Sequence, residues 1–435
     1  MRRAPPAMRT TAILTTSCLA ALAAAAPCTA ATISAKGVSA PQVAVGSTGT
    51  MVVAWEQRTP AGVVIAARTG NDRVGLGPVR RLAAGGSDPQ VAVDADGTAA
   101  VMWSQRGARG ASTLRVATAR PRRAFGDGQI LDRSGTPVAV VFQPGGRLVA
   151  VWQRSARKLG FALARRGHGF GNARNLASNG PTGGSLAIDP RDGTVVVAYG
   201  TPPTPTSNQQ AAVRTLAPAA TTFTGQIPLT STGLSGPVQP SAAGGPGGAG
   251  VAFTLPGPVF ESSILVRRGA DGSWAEPPIS VGRFFNQEGF VAGELRAVLL
   301  TDGSVVALSS VFSVPADPLR PPFRTTTEVS TGRPPGVGLN GAGGISDQGR
   351  AVPLQAFTAI GDEAIVASAL PGRPINYVSW KYEDPFYGYV GGRLAARGDG
   401  DVRLAGGGAT VVAVYQNGDR LQLKVLPTIV RPAPD

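Results

Sequence analysis

The chain of 435 residues carries a formal net charge of +15, but its arginines are spread along the whole sequence, which argues against a nucleic-acid interface built on one basic segment. Its 2 cysteines both lie in the first 31 residues, so the remainder is predicted to lack disulfides, thiolate nucleophiles and cysteine metal sites. Any histidine-dependent relay or metal cluster would rest on His168 alone, whose glycine neighbours predict an exposed turn, and we expect no metal and no cofactor.

Residues 1–31 have the layout of a secretory signal peptide. Arginines near the start are followed by an apolar Ala/Leu stretch and then by small residues. Cleavage is expected after Ala30 or Ala31, which removes three arginines and lowers the net charge from +15 to +12. No later stretch approaches the roughly 20 apolar residues that a membrane span needs. We therefore expect a secreted or otherwise extracytoplasmic monomer without a membrane span.

A hairpin pattern recurs along the rest of the chain. Two apolar arms flank a turn that contains glycine, and an aromatic residue ends the second arm, as in "PQVAVGSTGTMVVAW" (41–55) and "PQVAVDADGTAAVMW" (89–103). Glycine supplies the positive φ of a tight turn, and arms rich in Val and Ala favour strands that are covered on both faces. The seventh copy is predicted at "GGISDQGRAVPL" (343–354). The eight copies are aligned on Gly49, Gly97, Gly146, Gly193, Gly247, Gly303, Gly349 and Ala409.

Each hairpin is followed by a third strand and a shorter fourth one, as in "TLRVATAR" (113–120) and "GQILD" (128–132). Four antiparallel strands in a repeat of about 50 residues are typical of a β-propeller blade. We predict an all-β propeller over residues 32–427, followed by a short tail at 428–435. Eight blades are predicted, with seven as the alternative. Residues 32–42 align with 79–90, so the N-terminal strand is expected to pair with the last blade and close the ring.

The D-x-D-G turn followed by a β-run that ends in Trp resembles secreted bacterial β-propeller repeat proteins, including sialidase-like ones. The resemblance implies the propeller fold for residues 32–427. It does not extend to a true Asp-box, because the sialidase motif S-x-D-x-G-x-T-W places its aromatic residue closer to the glycine than Trp103 is to Gly97. No sialidase catalytic residue is therefore assigned.

Aromatic residues that end the second strands are predicted to pack between neighbouring blades rather than to stack on a ligand. They are Trp55, Trp103, Trp152, Tyr199, Phe253 and Tyr415. The polar pairs that follow three of them are predicted to cap strand ends. These pairs are Gln57-Arg58, Gln105-Arg106 and Gln153-Arg154.

Arginines near the ends of the third strands predict a basic ring on the face that carries the hairpin turns. Its members are Arg68, Arg120, Arg165, Arg214 and Arg267. Such a ring would either pair with turn carboxylates such as Asp94, Asp192 and Asp302 or bind phosphate or acidic glycan groups.

Aromatic residues concentrate in the later connections, which we expect on one loop face. The candidate ligand-binding residues are Trp380, Tyr382, Phe386, Tyr387, Tyr389, Phe284 and Phe285. Glu288, Glu383 and Asp384 accompany them. Rings against the apolar face of a sugar and carboxylates for its hydroxyls would form a carbohydrate site, whereas the alternative is a small aromatic core that orders a long insertion.

These features predict a non-enzymatic binding or scaffold protein that recognises an extracellular polysaccharide or a protein partner through one loop face, without nucleic acid. The alternative is a carbohydrate-active enzyme, either a sialidase-like glycosidase or a polysaccharide lyase. It would use Glu288, Glu383 or Asp384 as acid, base or nucleophile.

Overall fold

The computed structural model describes residues 30–107, 112–202, 209–229, 240–255, 260–274, 279–285, 290–313, 323–333, 337–344, 354–369, 374–381, 390–396 and 401–426. In several strands between 255 and 391 only the backbone is described. The regular elements of these residues are all β-strands.

The strands follow one another in groups along the chain, after a first short strand β1 (Ala31–Thr32). Sheet 1 contains β2 (Val38–Val45), β3 (Thr50–Thr59), β4 (Gly62–Asn71), β5 (Gly75–Leu76) and β6 (Arg80–Ala84). Sheet 2 contains β7 (Gly86–Val93), β8 (Ala99–Arg106), β9 (Ser112–Ala119) and β10 (Gln129–Asp132). Sheet 3 contains β11 (Thr136–Gln143), β12 (Arg147–Ser155), β13 (Lys158–Ala164) and β14 (Arg174–Ala177). Sheet 4 contains β15 (Thr182–Ile188), β16 (Val195–Thr201), β17 (Gln210–Leu216) and β18 (Ile227–Pro228).

The later strands are grouped in the same way. Sheet 5 contains β19 (Ser241–Gly245), β20 (Gly248–Leu255), β21 (Phe260–Arg267) and β22 (Ile279–Phe285). Sheet 6 contains β23 (Phe290–Leu299), β24 (Val305–Ser313), β25 (Phe323–Arg333) and β26 (Val337–Gly344). Sheet 7 contains β27 (Leu354–Ile360), β28 (Glu363–Ala369), β29 (Ile375–Lys381) and β30 (Val390–Ala395). Sheet 8 contains β31 (Val402–Gly407), β32 (Thr410–Asn417), β33 (Arg420–Leu426) and the distant β1.

The sheets are antiparallel and are arranged as a β-propeller. Eight sheets are present in the described residues, and their strands are hydrogen-bonded in chain order except that β5 and β6 both pair with β4 and that β1 pairs with β33. The first strand of each sheet contacts the first strand of the next, and β31 contacts β2 across the junction of the two chain ends. The predicted propeller of four-stranded antiparallel blades is thus confirmed.

The N-terminal strand joins the last sheet, as predicted. Ala31 pairs with Leu423 and Thr32 with Gln422, so β1 forms the outer strand of sheet 8. Ile33 then packs between sheets 8 and 1, in a cluster with Trp55 and Leu421. Residues far apart in sequence therefore complete one sheet, which removes an exposed edge at the junction.

The aromatic residues that end the second strands form the core between the sheets. Trp55, Trp103, Trp152, Tyr199, Phe253 and Tyr415 are buried, and all are at most 2% exposed. Trp55 packs toward sheet 8, Trp103 toward sheet 1 and Trp152 toward sheet 2. Their predicted packing role is confirmed. The flanking arms consist mainly of Val and Ala, which lets neighbouring sheets approach closely.

One predicted hairpin was assigned to the wrong residues. The hairpin of sheet 7 is formed by β27 and β28 around Gly361, which has φ +54°, not around Gly349. Residues 337–344 form β26, the fourth strand of sheet 6, so "GGISDQGRAVPL" spans a link between two sheets. In sheet 8 the turn residue with positive φ is Gly408, not Ala409. A Gly flanked by polar residues signals any chain reversal, and spacing alone did not separate a link from a hairpin.

Strand direction defines two faces of the propeller. The turn face carries the tight turns between first and second strands and the connections between third and fourth strands; the opposite face carries the other connections. Lys381, at the end of β29, pairs with Glu363 beside the hairpin turn, so the connection 382–389 leaves from the turn face. Phe285, at the end of β22, pairs with Phe260 at the other end of its sheet. The prediction that both aromatic segments share one loop face is therefore wrong.

Candidate functional site

A cleft of about 570 Å³ opens on the turn face between sheets 2 and 3. We call it the turn-face cleft. Its apolar residues include Val116 of β9, Leu148 of β12 and Phe170 of the connection after β13, and all three are buried. Its polar residues come from the hairpin turn of sheet 2 and the connections that follow β9 and β13. They are Asp94, Asp96, Arg120, Asp127, Arg165, Arg166 and His168, together with Thr98, Thr118 and Gln129.

Two contacts join the sheets across this cleft. Arg166 forms an ion pair with Asp96. The Gln129 side chain donates from Nε2 to the Phe170 carbonyl over 2.9 Å and accepts from the Phe170 backbone N–H over 2.8 Å. These contacts connect the two sheets across the cleft and fix their separation there.

Two carboxylates in the hairpin turn of sheet 2 have opposite pKa shifts. Burial raises the pKa of Asp94, and the negative charge of Asp96 adds to that effect. A hydrogen bond from the Ala95 backbone N–H to Asp94 Oδ1, 2.7 Å long, opposes it. For Asp96, burial also favours the neutral form, but hydrogen bonds from Thr98 and Arg166 outweigh it, so its pKa lies below the usual range.

Two arginines supply positive charge that the protein itself does not neutralise. Arg120 and Arg165 directly follow the third strands of sheets 2 and 3, and both are exposed. Neither side chain makes a hydrogen bond or an ion pair with any residue that the structure describes. Arg120 reaches toward sheet 3, because a Cβ placed on Gly167 would lie 3.6 Å from Arg120 Nη2. The turn-face cleft therefore offers the guanidinium group of Arg120, while Arg165 lines it beside Arg147, whose guanidinium group faces sheet 4.

The predicted basic ring is not present as one ring. Arg68 and Arg214 lie within their strands, opposite Val53 and Val197, whereas Arg267 is opposite Gly250 at another register position. Arg120 and Arg165 lie beyond the ends of β9 and β13. Spacing from the turn glycine hid these differences, because the hairpin turns and strands vary in length.

Arg68 and Arg214 have structural partners. Arg68 donates to the carbonyl oxygens of Gly77, Leu76 and Ile33 over 2.6, 2.9 and 3.0 Å. Arg214 donates to the Tyr199 hydroxyl over 3.0 Å. The expected pairing of arginine with turn carboxylates does occur, but through neighbouring residues: Arg268 binds Asp192 and Arg166 binds Asp96.

The other predicted site residues lie outside the described part of the protein. Tyr382, Glu383, Asp384, Phe386, Tyr387, Tyr389 and Glu288 are outside the described residues. Trp380 lies in β29, and Phe284 and Phe285 lie in β22, with their side chains also outside the description. The neighbouring Tyr377 is buried in a cluster with Tyr415 of sheet 8.

His168 is exposed in the turn after β13, as predicted, and lies at the turn-face cleft. Sequence reasoning missed the contributions of Asp94, Asp96 and Arg166 to one cleft. Asp96 and Arg166 are 70 positions apart and meet only because sheet 3 follows sheet 2 around the ring. The sequence signal that could have indicated this cleft was a turn rich in Asp one repeat before the basic stretch "RRGHG".

Comparison with known proteins supports the fold. No family model matches the chain, and no curated protein matches it. Among solved structures, the Dos1 propeller aligns with a TM-score of 0.52 at 9% identity, over 92% of this chain and 94% of that one. The β-propeller domain of the Trilobed protease from Pyrococcus furiosus aligns with a TM-score of 0.44 at 10% identity, over 91% and 99%.

A sialidase is also among the similar structures. A variant of the NanB sialidase from Streptococcus pneumoniae aligns with a TM-score of 0.39 at 10% identity, over 63% of this chain and 65% of that one. At such identities a likeness shows the β-propeller fold alone.

Among the described residues there is no helix able to cross a membrane, and no group of three or more metal-ligating side chains.

Proposed function

We propose that this chain is an exported, non-catalytic β-propeller that binds an extracellular acidic polysaccharide in the turn-face cleft. The observation that carries the proposal is Arg120, which is exposed and has no hydrogen-bond or ion-pair partner among the described residues, on a cleft that Arg165 also lines. Export rests on the signal-peptide layout of residues 1–31.

The cleft chemistry matches a uronate or sulfated sugar. A guanidinium group forms two parallel hydrogen bonds with a carboxylate or sulfate, which makes arginine well suited to such groups. Val116, Leu148 and Phe170 are the buried apolar residues of the cleft lining. Asp96 is engaged by Arg166, whereas Asp94 is available to accept a sugar hydroxyl.

The carbohydrate-active alternative draws support from one feature of the same cleft. The pKa of Asp94 is raised and that of Asp96 is lowered, and two carboxylates with separated pKa values are the usual arrangement for acid and base roles. In that case Asp94, with the raised pKa, would be the candidate acid and Asp96 the candidate base.

The test is a binding assay of the purified chain with polygalacturonate, using neutral dextran as the uncharged polymer. Arg120→Ala with Arg165→Ala should weaken polygalacturonate binding about tenfold or more, because two charged contacts are lost. The matched control is Arg157→Ala with Arg420→Ala, which removes two exposed arginines from the opposite face and should leave affinity unchanged.

Four outcomes would overturn the proposal. Equal retention of dextran would show that charge is not recognised, and equal affinity of the cleft variant and the native chain would remove the cleft from recognition. Release of new reducing ends or unsaturated products from polygalacturonate, lost in Asp94→Asn, would establish the enzyme instead. An absence of any polysaccharide binding would favour a protein partner.

A further inference from the structure

One repeat position is occupied by a carboxylate in sheet 2. Asp132, in β10, accepts a hydrogen bond from Trp152 Nε1 over 3.0 Å and pairs with Arg154 Nε over 2.7 Å. Both donors belong to sheet 3. The Asp132 carboxylate therefore satisfies a buried indole N–H and an arginine at the outer part of the boundary between sheets 2 and 3.

The same position is occupied by alanine one sheet earlier. In sheet 2, Trp103 is opposite Arg115, and Asp132 pairs with the preceding residue, Leu114. In sheet 1, Trp55 is opposite Ala66, and Ala83 pairs with the preceding residue, Ile65. Ala83 is thus the equivalent of Asp132, and Trp103 is the equivalent of Trp152. Register, which is fixed by the backbone ladder, makes this comparison independent of side-chain placement.

Trp103 consequently has no acceptor. Its side chain is 1% exposed, and Trp103 Nε1 has no hydrogen-bond partner among the described residues. Arg115 Nε is also buried without a partner there, while Arg115 Nη1 donates to the Gly128 carbonyl over 2.9 Å. A buried donor without an acceptor costs about 1–3 kcal/mol, so two of them at one place require an explanation.

Both donors belong to residues that line a second cleft, of about 510 Å³, at the outer boundary of sheets 1 and 2. We call it the outer cleft. Arg80 and Arg81 of β6 line its other side, and both are exposed. Gly126 and Asp127 line the outer cleft and the turn-face cleft alike, so the two clefts adjoin across the connection that precedes β10.

We propose that the outer cleft is a second anion subsite, which binds a carboxylate or sulfate group of the same polysaccharide between Arg80, Arg81 and Arg115. This inference rests on the proposed function. The ligand's anionic group supplies the acceptor that Asp132 supplies in the next sheet. Because the two unpartnered donors are buried, the anionic group reaches them only as the side chains that cover them move aside. The polysaccharide spans both clefts, and a longer oligomer binds more tightly than a single uronate.

The test compares galacturonate with hexagalacturonate. The native chain should bind the hexamer about tenfold or more tightly than the monomer, because the second contact becomes intramolecular. Ala83→Asp places an internal carboxylate at the Asp132 position. It should bring hexamer affinity down to that of the monomer, leave monomer affinity unchanged and raise the melting temperature. Arg80→Ala with Arg81→Ala should lower hexamer affinity equally without raising the melting temperature.

A second readout follows Trp103 directly. Its indole N–H resonance, assigned with Trp103→Phe, should shift downfield on addition of hexagalacturonate and remain in place with the monomer. Hexamer affinity unaltered by both outer-cleft variants, with binding still weakened by Arg120→Ala with Arg165→Ala, would overturn this inference and leave the proposed function standing. Failure of the native chain to bind either oligomer would overturn both.

Discussion

Asp94 and Asp189 occupy the same place in the hairpin turns of sheets 2 and 4, but they have different neighbours. The backbone N–H of each closes its turn, Asp94 onto Thr98 and Asp189 onto Thr194, both over 2.8 Å. Asp189 is fully buried and accepts charged hydrogen bonds from Arg191 and from Arg268 of the next sheet. Asp94 is 8% exposed, and its carboxylate accepts a hydrogen bond from the backbone N–H of Ala95. Asp189 therefore has a structural role, whereas Asp94 lies at the turn-face cleft.

This contrast predicts opposite effects of the same substitution. Asp189→Asn should lower the free energy of unfolding at pH 7 by about 2–4 kcal/mol, because it removes a fully buried carboxylate charge that pairs with both Arg191 and Arg268. Burial favours neutral Asp189, but its arginine partners outweigh burial and its pKa is lowered. Its stabilisation is thus present above about pH 4 and lost as pH falls through the folded-state pKa, so the deficit of the variant should shrink in acid.

Asp94→Asn is the matched control for that experiment. The folded state raises the pKa of Asp94, so the stabilisation that its protonation provides is present below about pH 4 and is lost as pH rises through the folded-state pKa. Near neutral pH the neutral amide should therefore leave stability equal to or above that of the native chain. Urea unfolding of both variants at several pH values measures this, and equal destabilisation by both would contradict the distinction.

Single residues show what sequence alone could predict. The buried Trp55, Trp103 and Trp152 were predictable, because a large apolar side chain at a repeated strand end has nowhere else to pack. The equivalence of Ala83 with Asp132 was not predictable from the sequence, because it depends on a strand register that includes a bulge before each position. The ion pair between Asp96 and Arg166 likewise depends on how two sheets are placed side by side.

At the scale of elements, closure depends on very few residues. The strand β1 has only two residues, so its pairing with β33 alone orders only a short N-terminal segment. Ile33 extends the contact: its backbone N–H donates to the Leu421 carbonyl over 2.9 Å, and its carbonyl accepts from Arg68 Nη1 over 3.0 Å. Its side chain is buried between sheets 8 and 1. Packing of Ile33 thus contributes as much to closure as strand pairing does.

We predict that Ile33→Ala lowers the free energy of unfolding by about 2–4 kcal/mol, the usual cost of removing a buried isoleucine. Val74→Ala is the control, because Val74 is 85% exposed and its truncation should change stability little. Thermal or denaturant unfolding measures both. If the two substitutions cost the same, the N-terminal segment does not stabilise the ring in the way its contacts indicate.

Hairpins were predictable where turn chemistry and apolar arms coincide, as around Gly97 and Gly193. The hairpin around Gly361 was missed, because its turn is only Gly361-Asp362 and its first arm, "LQAFTAI", contains polar residues. Connections between third and fourth strands were equally hard to place. Only strand pairing shows that the segment after Lys381 leaves from the turn face, while the segment after Phe285 leaves from the opposite face.

At the scale of the whole molecule, the positive charge has two separable effects on an acidic polymer. The net charge of +15 attracts any polyanion over a distance that salt shortens. Binding in the clefts depends instead on a few arginines that meet only in the folded ring. Composition alone does not distinguish one arginine from another. The structure separates those with internal partners, such as Arg68 and Arg268, from those without a partner among the described residues, such as Arg120 and Arg165.

Salt dependence separates these two effects. The variant Arg120→Ala with Arg165→Ala and the control Arg157→Ala with Arg420→Ala have the same net charge, two units below the +15 of the native chain. If the clefts bind the polymer, log affinity for polygalacturonate should fall less steeply with log salt in the cleft variant than in the control, between about 0.05 and 0.5 M salt. The control should keep the slope of the native chain, because its lost charges lie away from the bound polymer. Two variants with identical slopes would instead mean that the overall field of the protein, and not the arrangement of arginines on its turn face, attracts the polymer.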